Sequence, residues 1–305
     1  MQSIFWRGKL PLPMRVLVNM NNLTAWALGN LRDTEAMRRR VKLGFEGGCS
    51  DYLRQYDELG GDHFNAIALA LLKNLVIRGE KVLDVGSGTG ILAFLALKQG
   101  AAKVTCVDFT AHMLDQARRK AAAMGLGEDR VAFLQVDAEN LPFEDGAFDA
   151  VVSSMLLGMS PNQGKVLAEI RRVLKRGGQA AVATHGIDHY YEGNEVGFLA
   201  TMRGYFREFF GYRLEFWPLD EKALRRMLEQ AGFADVRTER FQRAETFEHG
   251  GRAFDFYAAT SGLWWFSVLP PEKRAEAARR TRDLFLRKGV IRISTDATLG
   301  YGRKL

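Results

Sequence analysis

Three glycines lie within five residues of the sequence, in the stretch "DVGSGTG" from Asp84 to Gly90. An apolar strand-like run precedes this stretch, and an apolar helix-like run follows it. The loop therefore leads into the N-terminus of a helix, where unpaired backbone amides attract an anionic group. Glycine lets a ligand approach the backbone closely because it carries no side chain. Residues 84–90 are thus the first candidate binding site.

The spacing of the glycines argues against two common nucleotide sites. The dinucleotide fingerprint has glycine at its first, third and sixth positions, whereas this loop has Gly90 at the fifth and Ile91 at the sixth. A nucleoside-triphosphate loop ends in Gly-Lys-Ser or Gly-Lys-Thr, which is missing here. Asp84 would repel a pyrophosphate but would attract an amino group, directly or through a water molecule. The expected ligand therefore carries a carboxylate and an amine.

Two further acids end the next two strand-like runs. Asp108 stands where an acid accepts hydrogen bonds from both hydroxyls of a ribose. Asp137 is placed to accept from an exocyclic amine, with the backbone of Ala138 nearby. Either acid could instead only cap the following helix or brace the following turn. Together with the glycine loop, they fit one ligand that has an amino acid at one end, a ribose in the middle and an adenine at the other end.

Helical and strand patterns alternate between Gly61 and Thr184, as expected for a parallel sheet with crossover helices. A helix is predicted from Asn162 to Leu174, and another opens at Asp220. These elements place the glycine loop and both acids at the carboxyl ends of strands. The predicted strands are 81–85, 103–108, 131–137, 148–154, 179–185, one within 235–241 and one within 296–304.

Four ordered motifs resemble those of class I S-adenosylmethionine-dependent methyltransferases. They are "VLDVGSGTG" from Val82, "VTCVDFTAHML" from Val104, "LQVDAENLPFEDGAFDAVVSS" from Leu134 and "EIRRVLKRGGQAAVAT" from Glu169. The resemblance covers roughly residues 50 to 245 and is closest to the ubiquinone and menaquinone C-methyltransferases. It implies an α/β fold, a Rossmann-like, mostly parallel sheet of seven strands with helices on both faces and an antiparallel last strand.

Three segments lie outside this regular core. We expect residues 1–50 to form an N-terminal helical lid, and residues 51–305 to form the methyltransferase domain. Aromatic cap inserts are expected at about 186–217 and 247–292 of that domain. Ten aromatics fall between Tyr190 and Trp217, and most of them would pack the insert. A cap this aromatic commonly leaves an apolar cavity, which predicts a lipophilic or aromatic acceptor.

The resemblance implies S-adenosyl-L-methionine as cofactor and S-adenosyl-L-homocysteine as product. It carries a role onto each matching position. Phe109 and Met113 could equally be core residues, and Tyr52 lies one helical turn from Tyr56. The implied contacts are Asp84, Gly86, Gly88 and Gly90 with the methionine moiety, Asp108 with the ribose, Phe109 and Met113 against the adenine, Asp137 and Ala138 at its edge, Ser153 beside the sulfonium, and Tyr56 closing over the cofactor.

Methyl transfer from a sulfonium is an in-line displacement, so alignment in a dry pocket matters more than acid-base chemistry. A base is useful for a phenol or an acidic carbon. His189 is the first candidate, followed by His185 and Tyr190, because all three follow the fifth strand on the expected acceptor side. A metal is not expected, since the sequence shows no close cluster of histidines and acids.

The acceptor class is narrowed by what is missing after the fourth strand. Methylases of base or glutamine amino groups have Pro-Pro-aromatic there, whereas this chain has "SSMLLGMS" from Ser153. We therefore expect transfer to oxygen or carbon of a small molecule. An RNA or protein methyltransferase is the alternative that the net charge of +7 allows, although no RNA-binding module is recognisable. The second alternative is a partner module that binds the cofactor without catalysing a reaction.

Composition predicts the compartment. The two cysteines, Cys49 and Cys106, form no disulfide framework, which fits a reducing environment. The uncharged runs Val16–Leu31 and Phe256–Pro271 are shorter than the ~20 residues that cross a bilayer. The sequence thus predicts a cytoplasmic protein, in which either run could make a peripheral membrane contact. It leaves the oligomeric state open.

Overall fold

A computed structural model of the protein describes residues 12–28, 50–188, 193–209, 218–262 and 269–305, with a few single residues between these ranges. Side chains at 14, 26, 50–56, 201–203 and 206–209 lie outside the description. The chain divides into two compact units. The sheet unit comprises 61–185, 219–241 and 297–305, and the helical unit comprises 1–60, 186–218 and 242–296.

The described helices and strands follow one another in the predicted order. The helices are α1 Leu12–Ala27, α2 Ser50–Leu72, α3 Ile91–Lys98, α4 Ala111–Ala123, α5 Gln163–Val173, α6 Asn194–Phe209, α7 Glu221–Gln230, α8 Gly250–Ala259 and α9 Pro271–Lys288. The strands are β1 Lys81–Val85, β2 Lys103–Asp108, β3 Val131–Gln135, β4 Phe148–Ser154, β5 Leu174–His185, β6 Ala234–Thr246 and β7 Arg292–Arg303.

The seven strands form one sheet in the order β3-β2-β1-β4-β5-β7-β6. β1 pairs in parallel with both β2 and β4, and β7 is antiparallel to β5. The predicted mostly parallel sheet with an antiparallel last strand is therefore confirmed. The strand order reverses at β1, and in open α/β sheets a ligand binds at the carboxyl ends of the strands beside such a reversal.

The short apolar runs become strands because they are buried on both faces, as parallel strands are. Val82, Leu83 and Val85 of β1 have no exposed surface. Residues of α2 and α3, such as Leu71 and Phe94, pack on the same core. This core fixes the end of β1, and with it the start of the glycine loop.

The boundaries differ from prediction around β5. The helix before it ends at Val173, and β5 begins at Leu174, five residues earlier than expected. The pairing of β5 with β4 is irregular at the two glycines, but the strand continues on its other side, where Gly177 takes a positive φ of 79° and donates its amide to the Lys304 carbonyl at 2.6 Å. At the other end of the motif region, β3 stops at Gln135, two residues before Asp137.

The helical unit has an aromatic core of its own. Four rings meet there, with centroids 5.3 to 6.3 Å apart, and Tyr257 is fully buried among them. Packing around Tyr257 is so close that a Cβ on Gly197 would lie 2.1 Å from the Tyr257 ring. These four rings, Phe254, Tyr257, Phe266 and Phe285, therefore serve packing.

Candidate functional site

The glycine loop is a backbone cradle anchored to β2. The amides of Gly86 and Ser87 donate to the Val107 carbonyl at 2.8 and 3.0 Å. All three glycines have positive φ, and Gly90 caps the N-terminus of α3 at φ 85°. A Cβ on Gly88 would meet no atom within 4 Å. Space is therefore open at the middle of the loop, where the helix N-terminus can receive an anionic group.

Asp84 is a fully buried carboxyl directly before this loop. It has no exposed surface, and neither oxygen accepts a hydrogen bond of good geometry. Burial, together with the negative charge of Asp108, raises its pKa to about 8, and the nearby Ala93 amide offsets only part of this rise. A carboxyl in this condition gains most from a positive charge placed near it.

Asp108 braces the same loop from the end of β2. One carboxylate oxygen accepts from the Gly88 amide at 2.9 Å. The other accepts from the amide and the hydroxyl of Thr110, at 2.9 and 2.8 Å. Burial raises the pKa of Asp108, and the hydrogen bonds from Thr110 and Gly88 lower it in part. The residue thus caps the segment before α4 and holds the loop, and its oxygens retain lone pairs for a ligand.

The predicted adenine contacts divide between half-buried and core positions. Phe109 and Ala138 are half-buried, whereas Met113 is only 4% exposed and is one of the buried residues of α4. Asp137 accepts the Glu139 amide at 2.9 Å and so braces the turn after β3. Phe109 directly follows β2, Met113 lies in the first turn of α4, and Asp137 and Ala138 follow β3, so all four come after the carboxyl ends of strands, as the glycine loop does.

Ser153 lies at the end of β4, beside the loop. Its hydroxyl is buried and donates to the Val85 carbonyl at 2.7 Å, which ties β4 to the last residue of β1. Two residues later, Met155 takes a φ of 62°, a left-handed backbone conformation that residues other than glycine rarely adopt. Strain of this kind concentrates at functional sites.

Sequence reasoning missed two positioning residues near Ser153. The Leu156 side chain fills the space under Gly86, since a Cβ there would lie 3.0 Å from it. Glu139 is buried and accepts from Ser160 at 3.3 Å and from Asn162 at 2.8 Å, so it ties the segment after β4 to the turn after β3. The position of Leu156 just after the fourth strand could have indicated its role. Glu139, two residues after Asp137, has no sequence feature that would have indicated its role.

The predicted catalytic residues are only partly within the description. His189 and Tyr190 lie outside the described residues, and the side chain of Tyr56 does too. His185 ends β5 and is buried, with 7% of its surface exposed. Burial, and secondarily the nearby His63, lowers its pKa to about 3. Its imidazole is therefore neutral throughout the physiological pH range.

Residues 82–178 match a family model described as a methyltransferase domain. The chain is 34% identical over 172 residues to demethylmenaquinone methyltransferase of Clavibacter sepedonicus, which covers 52% of this chain and 68% of that protein. It is 31% identical over 207 residues to malonyl-(acyl-carrier protein) O-methyltransferase of Geobacter sulfurreducens, covering 65% and 72%.

A solved structure shares the fold. Haemonchus contortus phosphoethanolamine N-methyltransferase 2, in complex with phosphomonomethylethanolamine and S-adenosylhomocysteine, matches with a TM-score of 0.56 at 17% identity. The match covers 86% of this chain and 60% of that chain. The acceptors in the names of these three proteins are chemically different from one another.

Proposed function

We propose that this chain, which belongs to the class I S-adenosylmethionine-dependent methyltransferases, moves the methyl group to oxygen or carbon of a lipophilic or aromatic small molecule. The observation that carries the donor side of this proposal is the open glycine cradle next to a fully buried carboxyl. A cradle of amides suits the carboxylate of the methionine moiety, and the charge of Asp84 suits its amine and sulfonium.

The donor supplies a methyl group that is already activated by a positively charged sulfur. The protein has to bind and orient it. In this proposal the loop amides hold the carboxylate, Asp108 accepts from the ribose, and Asp137 and Ala138 hold the adenine edge. Ser153, anchored to Val85, lines the sulfonium without donating to it. Because Asp84 is sealed beneath the loop, it acts by charge.

The acceptor side rests on fewer observations. Neither acceptor in the relatives' names, demethylmenaquinone or malonyl-acyl-carrier protein, is a nucleic acid, and demethylmenaquinone, a quinone, supports a small-molecule acceptor. We propose that the helical unit, which includes most of the predicted cap inserts, selects the acceptor. His189, Tyr190 and His185 stay the candidate bases. His185 accepts a proton without first losing one, although its low pKa makes it a weak base.

The test is transfer of a labelled methyl group from S-adenosylmethionine into three separated pools: lipid extract, RNA and protein. We expect label in the lipid extract, and none after Gly88→Ala. Label in RNA, with affinity that falls steeply with salt, would assign the chain to RNA methylation instead. Cofactor binding by calorimetry with no label in any pool would make it a non-catalytic binding module.

A further inference from the structure

Helix α1 turns its large apolar side chains outward, which is the opposite of what is expected for a helix that packs only on its own protein. Its buried face carries two asparagines, whereas a surface helix normally buries its apolar side chains. Its outward face carries four large apolar side chains, with exposed fractions of 45 to 63%. The buried residues are Val18, Asn21, Asn22 and Ala25, and the outward ones are Leu12, Val16, Met20 and Leu23.

The four outward side chains form one continuous stripe. Their spacings of four, four and three residues keep them within about a quarter of the helix circumference, given ~100° per residue. Singly exposed apolar residues are normal on a protein surface, but a contiguous stripe marks an interaction surface. The stripe is therefore a candidate docking surface for an apolar partner.

The charge around the stripe indicates what covers it. The first 32 residues contain four basic residues and no Asp or Glu. Arg15 is exposed on α1 beside the stripe. A second copy of α1 offers no acid to pair with Arg15, because the helix contains no Asp or Glu. An anionic lipid surface instead attracts Arg15, and the net positive charge of the flanking sequence, while its acyl chains receive the apolar stripe. The basic residues are Arg7, Lys9, Arg15 and Arg32.

We propose that α1 lies flat in the interface of an anionic lipid bilayer, through the stripe Leu12, Val16, Met20 and Leu23, and that the enzyme draws its acceptor from that membrane. The second part rests on the proposed function, because it needs a lipophilic acceptor. Among the described residues, no helix is long and apolar enough to cross a bilayer. At 16 residues, α1 spans about 24 Å, which suits an interfacial helix.

The first experiment measures binding of the full chain to vesicles that contain no acceptor. Sedimentation with phosphatidylglycerol–phosphatidylcholine vesicles should carry down the protein, and pure phosphatidylcholine should carry down much less. The double substitution Val16→Gln with Met20→Gln should weaken binding at least tenfold. Leu69→Gln, on α2, removes a helical apolar side chain of similar exposure, 46%, and should bind as the parent does.

Three outcomes would overturn the docking. They are undiminished binding of the double variant, equal binding to both kinds of vesicle, and a concentration-dependent dimer in sedimentation velocity that the double variant abolishes. The last result would assign the stripe to a second copy of the chain. Circular dichroism and cofactor affinity of the double variant should match the parent, which separates loss of docking from loss of folding.

A second experiment separates this inference from the proposed function. Labelled methyl transfer is compared between an acceptor extract dispersed in detergent and the same extract in anionic vesicles. The double variant should keep its rate in detergent and lose most of it in vesicles. Equal rates in vesicles would refute the membrane source of the acceptor. Absence of transfer in both forms, with vesicle binding intact, would refute the proposed function and leave the docking of α1 standing.

Discussion

Asp84→Asn should stabilise the ligand-free protein at neutral pH and destabilise it at acid pH. The carboxyl has a pKa of about 8 in the folded chain and 3.8 ordinarily. At pH 7, which is about 3 pKa units above the ordinary value, keeping it protonated costs about 4 kcal/mol, at ~1.4 kcal/mol per unit. Asparagine removes that cost but leaves a buried amide without a partner, at about 1–3 kcal/mol. The net gain at pH 7 is about 1–3 kcal/mol.

The sign follows from proton binding. Since the folded-state pKa lies above the unfolded one, the parent loses stability as pH rises from about 4 to about 8, while the variant does not. Thermal unfolding of both proteins between pH 4.5 and 8.5 measures the difference. The variant should melt lower at the acid end and about 5–15 °C higher at pH 8, where the net gain is about 2–4 kcal/mol, at roughly 2–4 °C per kcal/mol.

Asp149→Asn is the control of opposite sign. Burial raises the pKa of Asp149, but hydrogen bonds from Lys175 and from the Lys81 amide, the latter at 2.9 Å, outweigh burial and hold the pKa below its ordinary value. Asp149 therefore stabilises the fold above its ordinary pKa, and this stability is lost as pH falls. The control should be less stable at neutral pH and approach the parent in acid. If the difference between Asp84→Asn and the parent were constant with pH, the reasoning on Asp84 would be wrong.

The remaining predictions concern the cofactor. At pH 6.5, S-adenosylmethionine should release up to one proton on binding to the parent, measured by calorimetry in two buffers, and none on binding to Asp84→Asn, because the cation favours the ionised carboxyl. Gly88→Ala should abolish binding, whereas Gly125→Ala, also at positive φ with open space, should only lower stability by about 1 kcal/mol; equal affinities would remove the cradle argument. Asp108→Ala should weaken affinity at least about tenfold, and unchanged affinity would defeat its assignment. At saturating cofactor, the pH profile of kcat should show no inflection near pH 6.5 from His185. An inflection there that His185→Gln removes would contradict the burial of His185.

The sheet and the cofactor edge could be read from the sequence because their signals are local. Glycine spacing fixes the loop that follows β1, and the end of β2 fixes where Asp108 lies, whereas Asp137 lies two residues beyond the end of β3. The left-handed conformation of Met155 has no such local signal. It depends on contacts with a distant strand, such as the hydrogen bond that the Met155 amide donates to the Ala183 carbonyl at 2.8 Å. The full burial of Asp84 likewise depends on packing between distant segments.

The orientation of α1 was beyond sequence reasoning for a related reason. Its apolar residues lie on several sides of the helix, so periodicity does not say which side faces the protein. Asparagines ordinarily mark the outer face, yet Asn21 and Asn22 are buried. Only tertiary contacts decide between the two faces.

Among the described residues, three departures from local rules bear on function, and each has a cost. Asp84 is a buried acid with no opposite charge paired to it, Met155 is a non-glycine residue in the left-handed conformation, and α1 turns an apolar stripe outward. Such violations are expected where function opposes stability. A cationic donor relieves the first and a lipid surface relieves the third, so each cost becomes binding free energy when the ligand is present. If Asp84→Asn gained stability without losing cofactor affinity, this account would fail for the first of them, since the cost would then serve no ligand.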